Sequence, residues 1–567
     1  MLSTPPLSRA RRAGILALAV GAIGLCATTA SMQGQRYFPD DPIAREPESQ
    51  DASKTALYEG SELYDLVFNL FVNSGHEPSG LRARNINTID EVPDSSWFTN
   101  RVGARAIATE ELVRGPVVGR PPDPSRWVIT REKTSGAHPG FTAQDANGET
   151  WFIEFDPPAY PGGATGAVVI ATKIFHALGY NQVESFLTTF DPKKATIDPK
   201  ASIRRPSGER TPFNQDDLNA ILEQVARRGD GTYRVVAGRL LPGRIIGPFH
   251  YNGTRPDDPN DIVPHEYRRE LRALRVFGAW TNLTDFKTKN TLDAVVTENG
   301  RTIVKHYLQD VGSTFGMNNA KHEWDIGWEY FYEGPPSRKR LFTLGFGLSP
   351  WQTVDYDKYP EVGKFEGTVF DPRKWRPQTP TMTYMEMRDD DAFWAARRVA
   401  AFSDDMIRAI VHVGEFTDPA AEKHLADVLI QRRDKIKSSY LPAVNPIVNP
   451  QLDAKGLTVE NAAVAAGIVK GAVQYRASWM TFDNATGATK PIADTSSTTT
   501  TIPAPAGLPS SGFVAVDIVS EHADYEAWKR PVRLVFRRDG GSWKLVGLER
   551  LSDMPNPKAR VNQPPKK

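Results

Sequence analysis

The sequence contains a single cysteine, Cys26, among its 567 residues. Without a second cysteine the chain forms no internal disulfide bond and no cysteine-based zinc site. It also has no excess of charge of one sign, because 69 lysines and arginines balance 68 aspartates and glutamates. Dedicated nucleic-acid-binding proteins usually have a strongly basic domain. We therefore expect no nucleic-acid partner.

Two common catalytic signatures are absent as well. The sequence has no G-x-S-x-G, the nucleophile turn of α/β-hydrolases, and no Walker A phosphate loop. What the chain does have is length and apolar content, since hydrophobic residues make up 40% and aromatic residues 10%. These values predict two or three domains with substantial cores rather than a disordered chain.

The N-terminus has the pattern of an export signal. Arginines precede an apolar run at residues 13–27. This predicts a cleaved signal peptide over residues 1–30 and a periplasmic or secreted protein. The run is shorter than the ~18–20 residues of a spanning helix, and no later segment is apolar enough, so we expect no transmembrane segment in the mature chain. Cys26 leaves open a lipid anchor in the envelope, although Leu25 stands where a lipoprotein signal has a small residue.

Changes in the pattern of apolar and polar residues divide the rest of the chain into three predicted regions. Residues 31–125 are predicted to be an N-terminal extension with one helix at Ser61–Val72, where apolar residues recur at helical spacing. Residues 126–445 are predicted to form the main domain. Residues 446–567, where apolar and polar residues alternate between turns, are predicted to form a small β-rich domain.

The main domain begins with a pattern of strand, glycine loop, two strands and helix. The loop is Gly136–Gly140, and the helix is Ala164–Leu178, with Gly179 as its terminating residue. The strands are predicted at Trp127–Thr130, Phe141–Gln144 and Thr150–Phe155. The charged segment 191–215 is predicted to be an excursion from the domain.

A second helix, His265–Trp280, is predicted to bury its apolar face and to point its arginines outward. It leads into a loop, Thr281–Asn290, and then into two strands, Thr291–Val296 and Thr302–Leu308. Amphipathic helices are predicted between Asp391 and Tyr440.

Three oxygen-bearing side chains follow this helix at a spacing that suits phosphoryl transfer. Asp285, on the loop, can accept the proton of a substrate hydroxyl. Asn290 can ligate a divalent cation, and Asp310, after the next hairpin, can hold that cation between nucleotide phosphates. Gly312 allows a close approach of the backbone. Magnesium fits such a site because it takes oxygen ligands and keeps several waters. The simplest alternative is that Asp285 and Asn290 are only turn-forming residues.

These residues form the motifs D-x-K-x-x-N, from Asp285 to Asn290, and D-x-G, at Asp310, which resemble the catalytic loop and magnesium motif of protein kinases. The surrounding sequences LRVFGAWTNLTDFKTKNTLD and VKHYLQDVGSTFG are similar to atypical kinases of the HipA, CotH and secretory-pathway types, and closer still to exported bacterial proteins of that superfamily. The resemblance covers residues 126–445. It implies an α+β fold with a bilobal protein-kinase-like domain, and ATP with Mg²⁺ or Mn²⁺ as cofactors.

The resemblance also implies a role for each matching residue. Asp285 is the expected catalytic base or substrate-orienting residue, and Lys287 is the expected phosphate-contacting lysine. Asn290 and Asp310 are the expected metal ligands. The loop that covers the phosphates would contain Gly136, His138 and Gly140.

Two positions depart from the kinase pattern. Glu154 stands on the strand where kinases place the nucleotide-binding lysine, and Val168 stands on the helix where they place its glutamate partner. A carboxylate at that point would repel the α- and β-phosphates. Glu154 could therefore bind an additional metal ion, the domain could be a pseudokinase, or another cation could replace the lysine. The candidates for that cation are Lys133, Lys173 and Lys305.

Two functions are consistent with this pattern. The first is an exported kinase-like phosphotransferase that uses a metal–nucleotide complex to modify a protein, glycan or small-molecule hydroxyl, or a related enzyme that transfers a nucleotidyl group. The second is a catalytically weak pseudokinase that acts as an envelope binding or scaffold protein. Retention of Asp285, Asn290 and Asp310 favours the first, and the missing lysine–glutamate pair favours the second.

Overall fold

The computed structural model describes residues 35–551, apart from residues 134–137, 206, 319–320, 323–326, 345, 347–348 and 357–358. The predicted signal peptide with Cys26, and Gly136 of the glycine loop, lie outside the described residues. Within the described part of the chain, no helix is both long enough and apolar enough to cross a bilayer.

The described part of the N-terminal extension is mostly irregular and contains two α-helices, α1 (Glu62–Phe71) and α2 (Thr109–Arg114), of which only the first was predicted. α1 begins where the hydroxyl of Ser61 accepts a hydrogen bond from Tyr64 N at 3.3 Å, as an N-cap does. Trp97 anchors the extension to the main domain, because its ring stacks on that of His306 with 3.5 Å between centroids.

The first lobe of the main domain is built on a seven-stranded sheet. In chain order its elements are β1 (Trp127–Glu132), β2 (Gly140–Gln144), β3 (Thr150–Phe155), α3 (Gly163–Leu178), β4 (Ser185–Phe190), β5 (Ala195–Arg204), β6 (Arg210–Pro212), α4 (Gln215–Leu222) and β7 (Tyr233–Arg239). The strands lie in the order β4-β7-β3-β2-β1-β5-β6. β1 and β5 are parallel, and the other neighbours are antiparallel.

The predicted first three strands and the helix after them are confirmed. Alternate side chains of these strands, such as Trp127, Ile129 and Ile153, point to one face and form a buried core. The prediction for segment 191–215 was wrong, because it forms β5 and β6 at one side of the sheet rather than an excursion. Helix α3 packs into the core of the second lobe and so connects the two lobes.

The second lobe is mainly helical. Its elements are β8 (Arg244–Ile245), α5 (Arg269–Thr281), β9 (Thr291–Glu298), β10 (Arg301–Leu308), β11 (Met317–Asn318), β12 (Lys321–His322), α6 (Gly334–Phe342), α7 (Met382–Met385), α8 (Asp389–Ala400), α9 (Asp404–His412) and α10 (Pro419–Tyr440). β9 and β10 form the predicted hairpin, which pairs with β8. Helices α5, α8 and α10 pack around one large apolar core.

The arginines of α5 do not point outward as predicted. Arg269 and Arg272 are fully buried. Their guanidinium groups each lie 3.0 Å from a carboxylate oxygen of Asp391 at the start of α8. Burial of these charges is tolerated because they are paired, since an unpaired buried charge is strongly destabilising.

The C-terminal region is β-rich, as predicted. It contains β13 (Ile447–Asp453), β14 (Gly456–Asn461), α11 (Ala462–Ala465), β15 (Gln474–Phe482), β16 (Thr489–Ser497), β17 (Thr501–Ile502), β18 (Phe513–Glu521), β19 (Val532–Asp539) and β20 (Ser542–Arg550). These strands form two sheets, in the orders β13-β14-β17 and β16-β15-β18-β19-β20. Their apolar faces join the core of the helical lobe, and Trp528 Nε1 donates to Pro442 O at 3.1 Å. The predicted α+β fold class is confirmed.

Candidate active site

The loop that carries Asp285 is held against the end of the β9–β10 hairpin. It leaves α5 at Asn282, whose left-handed conformation (φ 57°) turns the chain out of the helix. Asn290 Nδ2 donates a hydrogen bond to the main-chain oxygen of Asp285 at 2.9 Å. The main-chain oxygen of Asn290 in turn accepts a hydrogen bond from Asp310 N at 3.1 Å. The two halves of the predicted site are therefore joined directly.

Asp285 has a carboxylate that is largely enclosed, with 12% of its side-chain surface exposed. Lys287 Nζ lies 3.1 Å from its Oδ2 and 3.7 Å from Glu62 Oε1 at the start of α1. Burial raises the pKa of Asp285 above its ordinary value, and the Lys287 amine offsets part of that rise. A carboxylate with a raised pKa accepts a proton more readily, which suits a general base.

Asp310 lines the same pocket as Asp285. Gly312 N donates a hydrogen bond to its Oδ1 at 2.9 Å. Asp310 is exposed at the edge of the pocket, but the residues around it remove part of the water from its carboxylate, and this raises its pKa. The like charge of Glu154 raises the pKa of Asp310 further. A Cβ on Gly312 would lie 2.9 Å from Val168 Cγ2, so the glycine lets this turn approach α3 closely.

Glu154, which stands where a lysine is expected, faces a lysine. Its Oε1 lies 2.8 Å from Nζ of Lys133, the residue that follows β1. β2 separates β1 from β3, and Gly140 of β2 pairs with Glu154 in the ladder. Lys133 N donates to Gly140 O at 3.3 Å. The lysine side chain therefore crosses β2 at a glycine, and its amine stands beside Glu154, where the kinase resemblance leads us to expect a lysine.

The other two candidate cations are held elsewhere. Lys173 Nζ donates to Arg114 O at 2.7 Å, and burial lowers the pKa of Lys173 to about 8. Lys305 Nζ lies 2.6 Å from Glu298 Oε1 on the neighbouring strand. The structure does not bring Lys173 to the pocket with Asp285, because its position on α3 directs it toward α2. Lys133 is the one of the three that lines the pocket.

The described part of the glycine loop also borders the pocket. His138 lines it, and its buried Nδ1 has no hydrogen-bond partner among the described residues. Burial lowers the pKa of His138, so the ring is neutral near pH 7. Gly140 is required by packing, because a Cβ there would lie 2.2 Å from Ile153 O. The role expected for Gly136 falls outside the described residues.

Comparisons with known proteins give matches among solved structures. No protein-family model matches the chain, and no curated protein matches its sequence. The chain is similar to the proinflammatory kinase CtkA of Helicobacter pylori, with 12% identity and a TM-score of 0.31, covering 62% of this chain and 100% of that one. It is also similar to the Golgi casein kinase with Mn/ADP bound, with 11% identity and a TM-score of 0.29, covering 72% of this chain and 98% of that one. A second structure of the Golgi casein kinase has 11% identity and a TM-score of 0.28, covering 71% and 97%. These neighbours are kinases.

A polar pocket and an apolar cavity lie side by side at the site. The polar pocket has a volume of about 40 Å³ and is lined in part by Lys133, His138, Glu154, Asp285 and Asp310. The apolar cavity has a volume of about 300 Å³ and shares Glu154, Val168, Val236 and Asp310 with it. The site therefore has a charged compartment that opens onto an apolar one.

The apolar cavity was not predicted from the sequence. Part of its wall is formed by Leu240 and Leu241, in the link between β7 and β8. The available signal was this pair of leucines, placed directly after a strand and before the Pro242–Gly243 turn. These leucines form a cavity wall only because the link passes beside β3, and the local sequence pattern does not reveal that path.

The donor atoms at the site suit a hard cation that is bound together with a nucleotide. Among the described residues, no three His, Cys, Asp or Glu side chains are grouped to hold a metal ion by themselves. Asp310 lines the pocket, and Asn290 lies behind it, bonded through Nδ2 to the main chain of Asp285. Their side chains have oxygen atoms of the kind that Mg²⁺ and Mn²⁺ prefer, but they would supply only part of a coordination shell. Phosphate oxygens and waters would complete that shell, so the residues present fit a metal–nucleotide complex.

Proposed function

We propose that the chain is a kinase-like phosphotransferase that binds a nucleotide and a divalent cation in the cleft between its lobes. The observation that carries this proposal is the Lys133–Glu154 ion pair at 2.8 Å. It supplies a positive charge at the point where the catalytic pattern lacks its lysine. Phosphoryl transfer depends on such charge, because catalysis consists mainly of positioning and electrostatic stabilisation.

The two compartments suit the two ends of a nucleotide. The apolar cavity, with Val168, Val236 and Leu241 in its wall, suits a flat nucleobase. The polar pocket, with Lys133 and Asp310, suits the phosphates. A nucleotide in this orientation would direct its terminal phosphate toward Asp285.

Each charged residue then has a chemical role. Asp310 and Asn290 would hold Mg²⁺ or Mn²⁺ on the phosphates, where the cation neutralises developing charge. On nucleotide binding, the amine of Lys133 would leave the Glu154 carboxylate and bind phosphate oxygens instead. Asp285 would orient the substrate hydroxyl and accept its proton while the hydroxyl oxygen bonds to phosphorus, the bridging bond breaks and the nucleoside diphosphate leaves. Lys287 would hold Asp285 in position.

The location and the substrate are part of the same proposal. The apolar run at residues 13–27 and the arginines before it support export, so we place the protein in the periplasm or outside the cell. Cys26 supports a lipid-anchored form as the alternative. The acceptor would be a hydroxyl of a protein, a glycan or a small molecule in that compartment.

A second function is favoured by one specific observation. Val168, in place of a glutamate, lines both compartments, and a carboxylate stands beside the phosphate position. A domain in this form could bind a nucleotide without transferring phosphate quickly. The alternative is therefore a pseudokinase that acts as an envelope binding or scaffold protein.

Thermal unfolding of the full chain with ATP, with and without Mg²⁺ or Mn²⁺, tests the proposal. We expect the unfolding temperature to rise only when nucleotide and metal are both present. Asp310→Ala should abolish that rise, whereas Asp389→Ala, which removes an exposed carboxylate on α8, should keep it. A chain that shows no rise with either metal would overturn nucleotide binding.

A transfer assay separates the enzyme from the pseudokinase. Asp285→Asn should keep the thermal response to metal and nucleotide but lose transfer of labelled terminal phosphate. If the unaltered chain binds nucleotide and transfers no phosphate to itself, to water or to added proteins and glycans, the scaffold function is the correct one.

A further inference from the structure

The end of helix α6 presents a group of large apolar side chains to solvent. The exposed fractions are 71% for Leu341, 83% for Phe342, 82% for Leu344 and 86% for Phe346. Single exposed apolar residues are common on soluble proteins, but a contiguous group of this kind marks an interaction surface. We call these four residues, together with Arg338, Lys339 and Arg340, the α6 tip.

The α6 tip combines this apolar group with three consecutive cations. Arg338, Lys339 and Arg340 precede Leu341 directly, and all three are exposed. Arg340 also lies 2.5 Å from a carboxylate oxygen of Glu329. The formal net charge of the whole chain is +1, so the positive charge at the tip is a local feature. Cations beside exposed leucine and phenylalanine are the combination that binds the boundary between anionic headgroups and acyl chains.

Helix α1 carries a second group of exposed apolar side chains. Leu63, Val67 and Phe71 on its outer side are exposed by 70%, 48% and 66%. Phe71 contacts Tyr332, which precedes α6, with 6.0 Å between ring centroids. The exposed apolar side of α1 therefore reaches Tyr332, just before the start of α6.

We propose that the α6 tip docks on an anionic lipid bilayer. The cations would pair with lipid phosphates, and the leucines and phenylalanines would enter the acyl boundary. The charge complementarity favours a bilayer over a second copy of the chain, because self-association would place the three cations near an equally basic surface if the tips met each other. This inference rests on α1 and α6 and does not depend on the proposed phosphotransferase activity.

Docking would also orient the candidate active site. Glu62, the first residue of α1, lies 3.7 Å from Lys287 Nζ and 3.6 Å from Lys289 Nζ. The apolar surface of α1 is therefore adjacent to the Asp285 loop. A bilayer at this surface would bring the loop close to acceptors that are presented at the membrane.

The single cysteine permits a local test on the full chain. In a Cys26→Ser background, Phe346→Cys is labelled with an environment-sensitive fluorophore and mixed with vesicles of phosphatidylcholine alone or with added phosphatidylglycerol. We expect a blue shift and an intensity rise with the anionic vesicles, and little change with phosphatidylcholine alone. The label at Val118→Cys, a site that is 92% exposed, is the matched control and should not respond.

The charge requirement is tested by adding Arg338→Gln and Lys339→Gln to the Phe346 reporter. Because each cation near an anionic surface strengthens binding severalfold, the pair should raise the lipid concentration for half-maximal response by roughly tenfold or more. Lys374→Gln, which removes another exposed cation, should leave it unchanged. No response at position 346, an equal response at position 118, or a response that follows protein concentration without lipid would overturn the proposal, and the last would identify a second copy as the occupant.

Discussion

Lys133 Nζ lies 2.8 Å from Glu154 Oε1, on the opposite side of strand β2. The lysine stem passes beside Gly140, the β2 residue that pairs with Glu154. A Cβ on Gly140 would lie 3.4 Å from Lys133 Cδ and 2.2 Å from Ile153 O. The glycine is therefore required by the close pairing of β2 with β3, while the lysine stem of the proposed nucleotide site lies at ordinary contact distance beside it.

Lys133→Met should weaken binding of the metal–nucleotide complex by roughly 10- to 150-fold, because it removes a charged hydrogen-bond donor to phosphate. Isothermal titration with ATP and Mg²⁺ measures the change. Lys305→Met is the matched control, since Lys305 Nζ is held by Glu298 outside the pocket. Equal affinities of Lys133→Met and the unaltered chain would mean that Lys133 does not serve the phosphates.

Glu154→Gln should change the same affinity in the opposite direction. The substitution removes a negative charge beside the phosphate position and releases Lys133, so the nucleotide should bind severalfold more tightly. The two single variants and the double variant form a cycle that measures the coupling between the side chains. Loss of metal-dependent binding in Glu154→Gln would instead identify Glu154 as a ligand of an additional metal ion.

Gly140→Ala should lower the free energy of unfolding by about 1–3 kcal/mol, the usual cost of forcing an extra carbon into a packed site. Urea unfolding measures this difference. Gly229→Ala is the matched control, because a Cβ at Gly229 meets no atom within 4 Å. Equal destabilisation by the two variants would show that crowding at β2 is not the cause.

His176 should make the fold sensitive to acid. Burial, and next the nearby Arg101, lower the pKa of His176 from 6.5 to about 3. Between these values the unfolded chain binds the proton and the folded chain does not, so the free energy of unfolding falls as the pH falls from 6.5 toward 3. The slope from this one group is at most about 1.4 kcal/mol per pH unit.

Urea unfolding at several pH values between 6.5 and 4 measures this slope. His176→Gln should flatten it, whereas His412→Gln, at a side chain that is 79% exposed, should keep the slope of the unaltered chain. If both variants retain the full slope, other groups cause the acid sensitivity.

The parts of the fold that could be predicted are those whose information is local. Alternating apolar residues located β1 to β3, and helical spacing located α1 and α3. The outward orientation predicted for Arg269 and Arg272 failed because burial of an arginine depends on its partner. That partner, Asp391, lies more than a hundred residues away in the sequence and meets them only after α5 and α8 pack. The prediction for segment 191–215 failed for a related reason. β5 is only partly buried and β6 is a short strand at the edge of the sheet, so both have a weak apolar pattern.

The sequence by itself determined the spacing of Asp285, Asn290 and Asp310, because a loop between a helix and a hairpin brings residues together over a short stretch of chain. It also showed a carboxylate, Glu154, at the position where the kinase resemblance leads us to expect a lysine. Only the tertiary structure decided which cation meets that carboxylate and where an apolar cavity opens beside it. Those contacts depend on the order of strands in the sheet and on the path of the link after β7, and no local pattern of residues encodes either.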